Sequence, residues 1–169
     1  MNTIKYLILI LSFSISSYIG FIKAKEFSDR VEQLKKFESA LAMFKAKIEF
    51  TYEPVKEIFT QISSAVYKDE NNIFKLTKDN LGYRDIGLVW EDQVNNYNSY
   101  LNKEDKEIIK MFGKLLGKTD KNGQISEIEL SRKFIEKQIE KAEDEKQKNV
   151  KLYRSLGVII GFVIIIIFI

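Results

Sequence analysis

The 169-residue chain has no cysteine and no histidine. Disulfides, thiolate zinc sites, Ser-His-Asp triads and Cys-His dyads are thereby excluded. The absence of cysteine leaves the compartment open. Proline occurs once, at Pro54. Strand-like alternation is scarce, so the chain reads as helix almost throughout. Charge is missing from both ends: residues 6–22 (YLILILSFSISSYIGFI) and 156–169 (LGVIIGFVIIIIFI) carry none. All 24 acids lie within residues 26–145, and of the 27 bases only Lys5 lies outside residues 23–154. The middle is therefore nearly balanced and lacks the clustered basic footprint that neutralises phosphates. No nucleic acid, small-molecule substrate or cofactor is expected.

What is present is an apolar segment at each end of a polar middle. A helix rises about 1.5 Å per residue, so residues 6–22 span roughly 25 Å of an approximately 30 Å hydrocarbon core. Counting back from residue 169 to Leu152 gives the second segment roughly 27 Å, with Arg154 snorkelling toward the headgroups. Ser12, Ser16 and Gly20 recur every fourth residue, and Gly157 and Gly161 form GxxxG. Both spacings permit close backbone approach in lipid. Lys23, Lys25 and Arg30 follow the first segment, while Lys146, Lys148, Lys151 and Arg154 precede the second. The positive-inside rule then places the middle in the cytoplasm. The expected organisation is a transmembrane segment over 1–24, a helical domain over 25–151 and a second transmembrane segment over 152–169. A rival reading takes the first segment as a cleaved signal peptide, with Ser14 and Ser16 framing the cut, and leaves an exported, tail-anchored domain.

The middle predicts an all-α antiparallel bundle. Leu34, Phe37, Leu41, Phe44 and Ile48 step by three and four, marking a helix from near Glu26 to just before Pro54. A second apolar face joins Val55, Ile58, Phe59, Ile62 and Val66. After the polar break at 68–72, a short helix over 73–81 closes at Gly82. The next opens at Arg84 or Asp85 and carries Ile86, Val89, Trp90, Val94, Tyr97 and Leu101. Asn102 caps another, with Ile108, Ile109, Phe112, Leu115 and Leu116 on its apolar side and Gly117 as its stop. The last helix carries Ile125, Ile128, Ile135, Ile139 and Ala142. It has no breaker before Gly157, so it continues as a charged stalk toward the membrane tail.

Residues 118–129 (KTDKNGQISEIE) imitate a calcium loop. Asp120 falls on ligand position 3, Asn122 on 5, Gly123 on the turn glycine and Glu129 on position 12. Position 1, which should supply a carboxylate, is Lys118. At about 4 Å and an effective dielectric near 20, an ammonium repels each unit of cation charge by about 4 kcal/mol. The same letters describe a helix corner: Gly117 ends one helix and Asp120 or Asn122 caps the next. A calcium-responsive membrane protein is the alternative that this stretch keeps open. The carboxylate pairs Asp105/Glu107 and Glu91/Asp92 point different ways on a helix, so neither forms a catalytic dyad, and no enzyme is expected.

The stretches TYEPVKEIFTQIS, FGKLLGKTDKNGQ and LYRSLGVIIGFVIIIIFI, with a mid-chain tryptophan, resemble stage III sporulation protein AB of endospore-forming bacteria. Phe112, Gly113, Leu116, Gly117, Asp120 and Gln124, with Gly157 and Gly161 in the tail, carry the pattern and are the packing or partner candidates. The resemblance implies a non-enzymatic platform on the mother-cell side of the channel complex between mother cell and forespore. Its helical domain would be similar to the platform-protein domains of type II secretion and type IV pilus systems. It would dock a cytoplasmic ATPase, the stage III sporulation protein AA. Gly117 and Gln124 would then shape the helical corner rather than bind an ion.

Overall fold

The computed structural model describes residues 2–51, 53–67, 72–82, 84–114 and 116–168. Tyr52, most of the polar break and Leu115 lie outside the described residues. Among the described residues six helices follow one another: α1 (Asn2–Phe50), α2 (Val55–Val66), α3 (Ile73–Asn80), α4 (Ile86–Asn96), α5 (Lys103–Lys114) and α6 (Lys121–Phe168). Among the described residues there is no strand. The fold is all-α, an antiparallel bundle, and the two terminal helices are long and apolar enough to cross a membrane. Contacts group residues 32–140 into one compact unit and residues 1–31 with 141–169 into another.

α1 is longer than the spacing predicts. It does not begin near Glu26 but runs unbroken from the first apolar segment. The junction reads Lys23-Ala24-Lys25-Glu26, all good helix formers, so nothing stops the helix there. α4, conversely, ends at Asn96, five residues short of Leu101. Asn95 and Asn96 are weak helix formers, and Tyr97 turns extended. Side chains then take over the backbone partners. Lys106 Nζ donates to Tyr97 O at 3.1 Å, and Gln33 Oε1 accepts from Tyr100 N at 3.0 Å.

The remaining ends follow local chemistry. Pro54 stands at the N-cap of α2, where a missing N–H costs nothing. Asn72 caps α3 through Lys75 N, and Asp85 caps α4 through Gly87 N and Leu88 N. Asn102 and Asp105 exchange backbone-to-side-chain bonds at 2.8 and 2.9 Å, a reciprocal cap for α5. Asp120 Oδ1 accepts from Gly123 N at 3.0 Å and starts α6. Gly117 adopts φ +75°, the left-handed geometry that ends α5 without strain.

In the bundle unit α2 packs on α3, α3 on α4 and α4 on α5. Its centre is aromatic. Trp90, fully buried, has the rings of Phe74 and Phe112 at 5.2 Å, Phe59 at 5.8 Å and Phe37 at 6.1 Å. Phe44 reaches Phe112 at 5.2 Å edge-on. Such pairs add about 0.5–1.5 kcal/mol each beyond burial of their area.

The inner stripe of α6 differs from its apolar pattern. Ile128, Ser131, Ile135, Gln138 and Ala142 are buried, stepping by three and four, whereas Ile125 and Ile139 are only half-buried. Two polar residues thus occupy heptad seam positions. Among the described residues Gln138 Oε1 has no hydrogen-bond partner. A polar group in such a seam fixes register at a cost in stability.

Candidate functional site

The singled-out residues fall in two places, one in each unit. In the bundle, Phe112 is a wall of the aromatic core and Gly113 is the floor beneath Trp90. A Cβ on Gly113 would lie 2.5 Å from Trp90 Cγ and 2.9 Å from its Cβ. Trp90 cannot retreat, because its Nε1 donates to Ile109 O at 2.8 Å. A second glycine on α4, Gly87, closes the same crossing, with its Cβ position 2.8 Å from Gly113 O. Leu116 is buried, and Gly117 turns the chain. Gln124 Nε2 donates to Thr119 O at 3.0 Å, so Gln124 braces the corner that Asp120 caps. Phe112 and Gly113 thus lie at the α4–α5 crossing, and Leu116, Gly117, Asp120 and Gln124 in the turn that leads into α6.

The calcium-like stretch lies in this corner. Lys118 Nζ is 3.4 Å from Asp85 Oδ2, the cap of α4. Glu129 is bonded by Lys45 from α1 and lies 3.5 Å from Arg132. Asp120 Oδ1 is engaged by the Gly123 amide. Among the described residues no three acidic side chains converge as a cation site requires. Adding calcium to about 1 mM, far above sensor affinities, is expected to leave the melting midpoint unchanged within about 1 °C. A rise of several degrees in differential scanning calorimetry would refute this assignment.

Ion pairs join α1 to α6 on the bundle flank. Arg132 donates to Glu38 Oε1 through Nε at 3.0 Å and Nη2 at 2.5 Å. The amide of Leu88, and then Lys118, holds the Asp85 carboxyl below its ordinary value. Lys45 does the same for Glu129, and Lys110 for Glu107. Carboxylates depressed in the fold stabilise it above the ordinary carboxylate range, and that stability is lost as pH falls through the folded values. With no histidine to titrate, the melting midpoint should be flat from about pH 5 to about pH 8 and decline below about pH 4. Circular-dichroism melts across that range provide the check.

The second place is the pair of apolar helices. Gly20 and Gly157 meet so closely that a Cβ on Gly157 would sit 3.0 Å from Gly20 Cα and 2.9 Å from Ser16 O. Ser16 Oγ donates to Gly157 O at 2.8 Å, a hydrogen bond between helices across 141 residues. Gly161 accommodates the Phe13 ring, which meets Phe162 edge-on at 5.1 Å. Further along, Phe27 stacks on Tyr153 at 5.7 Å, and buried Arg30 pairs with Glu145 at 2.6 Å. GxxxG thus packs against the first segment of the same chain, through Gly20 and Phe13. Arg154 lies over the Phe21 ring, 5.3 Å from its centroid, rather than reaching away.

Two apolar helices paired through glycines in one unit, and an all-α bundle with a glycine-floored tryptophan in the other, narrow the identity. The sequence profile of the family described as stage III sporulation protein AB matches residues 5–169, both apolar segments included. The chain belongs to that family. The stage III sporulation protein AB of Bacillus subtilis (strain 168) is 27% identical over 155 residues, 89% of this chain and 91% of that protein. A solved structure of a stage III sporulation protein AB superposes with a TM-score of 0.65. It is 24% identical and covers 71% of this chain and 98% of its own, supporting the same fold. The stage III sporulation protein AB family is a sporulation assembly component, and this chain is one of its members.

The residues missed in the sequence were mostly long-range partners: Gly87, Glu38, Lys45, Arg132 and Gln138. None has a local signature. Gly87 offered only its position one helix turn from Trp90.

Proposed function

We propose that this protein is a non-enzymatic platform in the channel complex between mother cell and forespore. It holds its helical domain at the cytoplasmic face of the mother-cell membrane, where that domain docks the cytoplasmic ATPase of the complex. The observation that carries this reading is the family match over residues 5–169, which takes in both apolar helices as well as the bundle. Three things support it further: the basic residues flanking both apolar segments on the bundle side, the absence of cysteine and histidine, and a rigid aromatic core. On this reading lipid meets residues 1–24 and 152–169, and residues 25–151 face the cytoplasm. Tethering raises the local concentration of a docked partner without any new contact.

Truncation after Arg154 tests the anchor. The expected product is a folded helical protein that no longer supports sporulation. Full complementation by that truncation would refute the platform reading. Single cysteines introduced on the bundle surface, against a native background of none, should crosslink to the ATPase in sporulating cells.

A further inference from the structure

We infer that the helix pair holds one acidic phospholipid, with an acyl chain along an open groove on one face of the pair and the phosphate at Lys23. This rests on the reading of the pair as membrane-spanning. Ile15 and Ile19 of α1 and Leu156 and Ile160 of α6 wall a groove of about 570 Å3. Ser16 and Gly157 line it too, joined by the bond from Ser16 Oγ to Gly157 O. One end is polar, lined by Lys23 and Tyr153. The Tyr153 ring is held there by stacking on Phe27 at 5.7 Å. A tyrosine beside a lysine at the end of an apolar helix marks the headgroup level. The other end of the groove lies at Ser12 and Ile164, within the apolar segments.

Length and charge choose the occupant. From Ser12 to Lys23 is 11 residues, about 16 Å of helix, close to half of an approximately 30 Å hydrocarbon core. Ser12 and Ile164 also line a second groove, which passes Ile8 and Leu9 to reach Ile4 and Phe168. From Ser12 to Ile4 is another 8 residues, about 12 Å. The face is thus divided as a bilayer is, one chain length per leaflet, whereas a crossing helix requires a single track. Charge at the polar end is of one sign. Residues 1–25 and 146–169 contain no acid, and Lys23, Lys25, Lys146, Lys148, Lys151 and Arg154 stand where the apolar segments end. Such a juxtamembrane cluster attracts acidic headgroups. Of these six bases, Lys23 lines the groove. Its ammonium carries three N–H donors, and two contacts go to Glu26, at 2.9 and 3.1 Å. The side chain is 54% exposed, so a phosphate oxygen can accept from the third.

The test uses the full chain in phosphatidylcholine vesicles, with Ile19→Trp as a reporter in the groove and Val158→Trp as one outside it; both positions are exposed. The parent chain is the blank. Quenching by brominated phosphatidylglycerol is compared with quenching by brominated phosphatidylcholine. At Ile19→Trp the acidic lipid should bind about threefold more tightly. Adding Lys23→Gln should at least halve that preference, roughly to the level of the remaining bases, and leave the preference at Val158→Trp where it was. Lys23→Arg should retain it. No preference at Ile19→Trp, a preference that survives Lys23→Gln, or an equal fall at both reporters would overturn the inference and leave the membrane reading intact. Quenching at Val158→Trp with none at Ile19→Trp would put a helix in the groove and overturn it as well. No quenching at either reporter would overturn both.

Discussion

Gly113→Ala is expected to lower the melting midpoint of the bundle by about 10 °C, equivalent to about 2–3 kcal/mol. Two effects oppose each other. Alanine in the interior of α5 gains about 1 kcal/mol of helix propensity over glycine. Against this, the new Cβ would stand 2.5 Å from Trp90 Cγ. Overpacking of a core costs about 1–3 kcal/mol, and more where nothing can yield. Here the ring is fixed by its bond to Ile109 O and by four phenylalanines, so the clash dominates. The same variant should red-shift the emission of Trp90, the single tryptophan. An unchanged or raised midpoint would show that α4 and α5 separate easily and that the glycine floor is dispensable.

The second large effect belongs to the helix pair. Gly157→Ile should open the crossing, because the groups in its way are backbone: Ser16 O and Gly20 Cα. The helices would part, and the Ser16 bond would be lost with them. An interhelical hydrogen bond in lipid contributes about 1 kcal/mol, and close backbone packing adds to it. Cysteines placed at Phe13 and Phe162, joined by a short bismaleimide in native membranes, report on the pair. The crosslinked fraction should fall about tenfold, the equivalent of about 1.4 kcal/mol. Sporulation should fail in parallel. Crosslinking at the wild-type level would mean that the two segments pair through other faces.

Local chemistry made much of this fold readable. Asp85, Asn102 and Asp120 announce helix starts because a short side-chain acceptor beside a helical stretch has few other uses. Gly117 announces a stop because only glycine adopts its geometry cheaply. The amphipathic stripes of α1, α2 and α5 gave the core. Positions whose meaning depends on a distant partner were not readable. Gly113 is one small residue in a motif until Trp90 is placed above it. Glu38 and Arg132 lie 94 positions apart, and Lys45 and Glu129 lie 84 apart. Periodicity misjudged α6 for a related reason: Ile125 and Ile139 are apolar, but the heptad phase turns Ser131 and Gln138 inward instead.

The crossing of Gly20 with Gly157 has a consequence for synthesis. These two residues are 137 positions apart, so at roughly 5–20 residues per second a ribosome needs roughly 7–27 s to deliver the second after the first. Throughout that interval the leading greasy helix stands alone in the bilayer, its Ser16 hydroxyl without its eventual acceptor. The short helices between, each packed on its neighbour in sequence, close small loops and can settle meanwhile. A nascent chain stalled before Gly157 would expose its glycine–serine ridge to any other helix in the membrane.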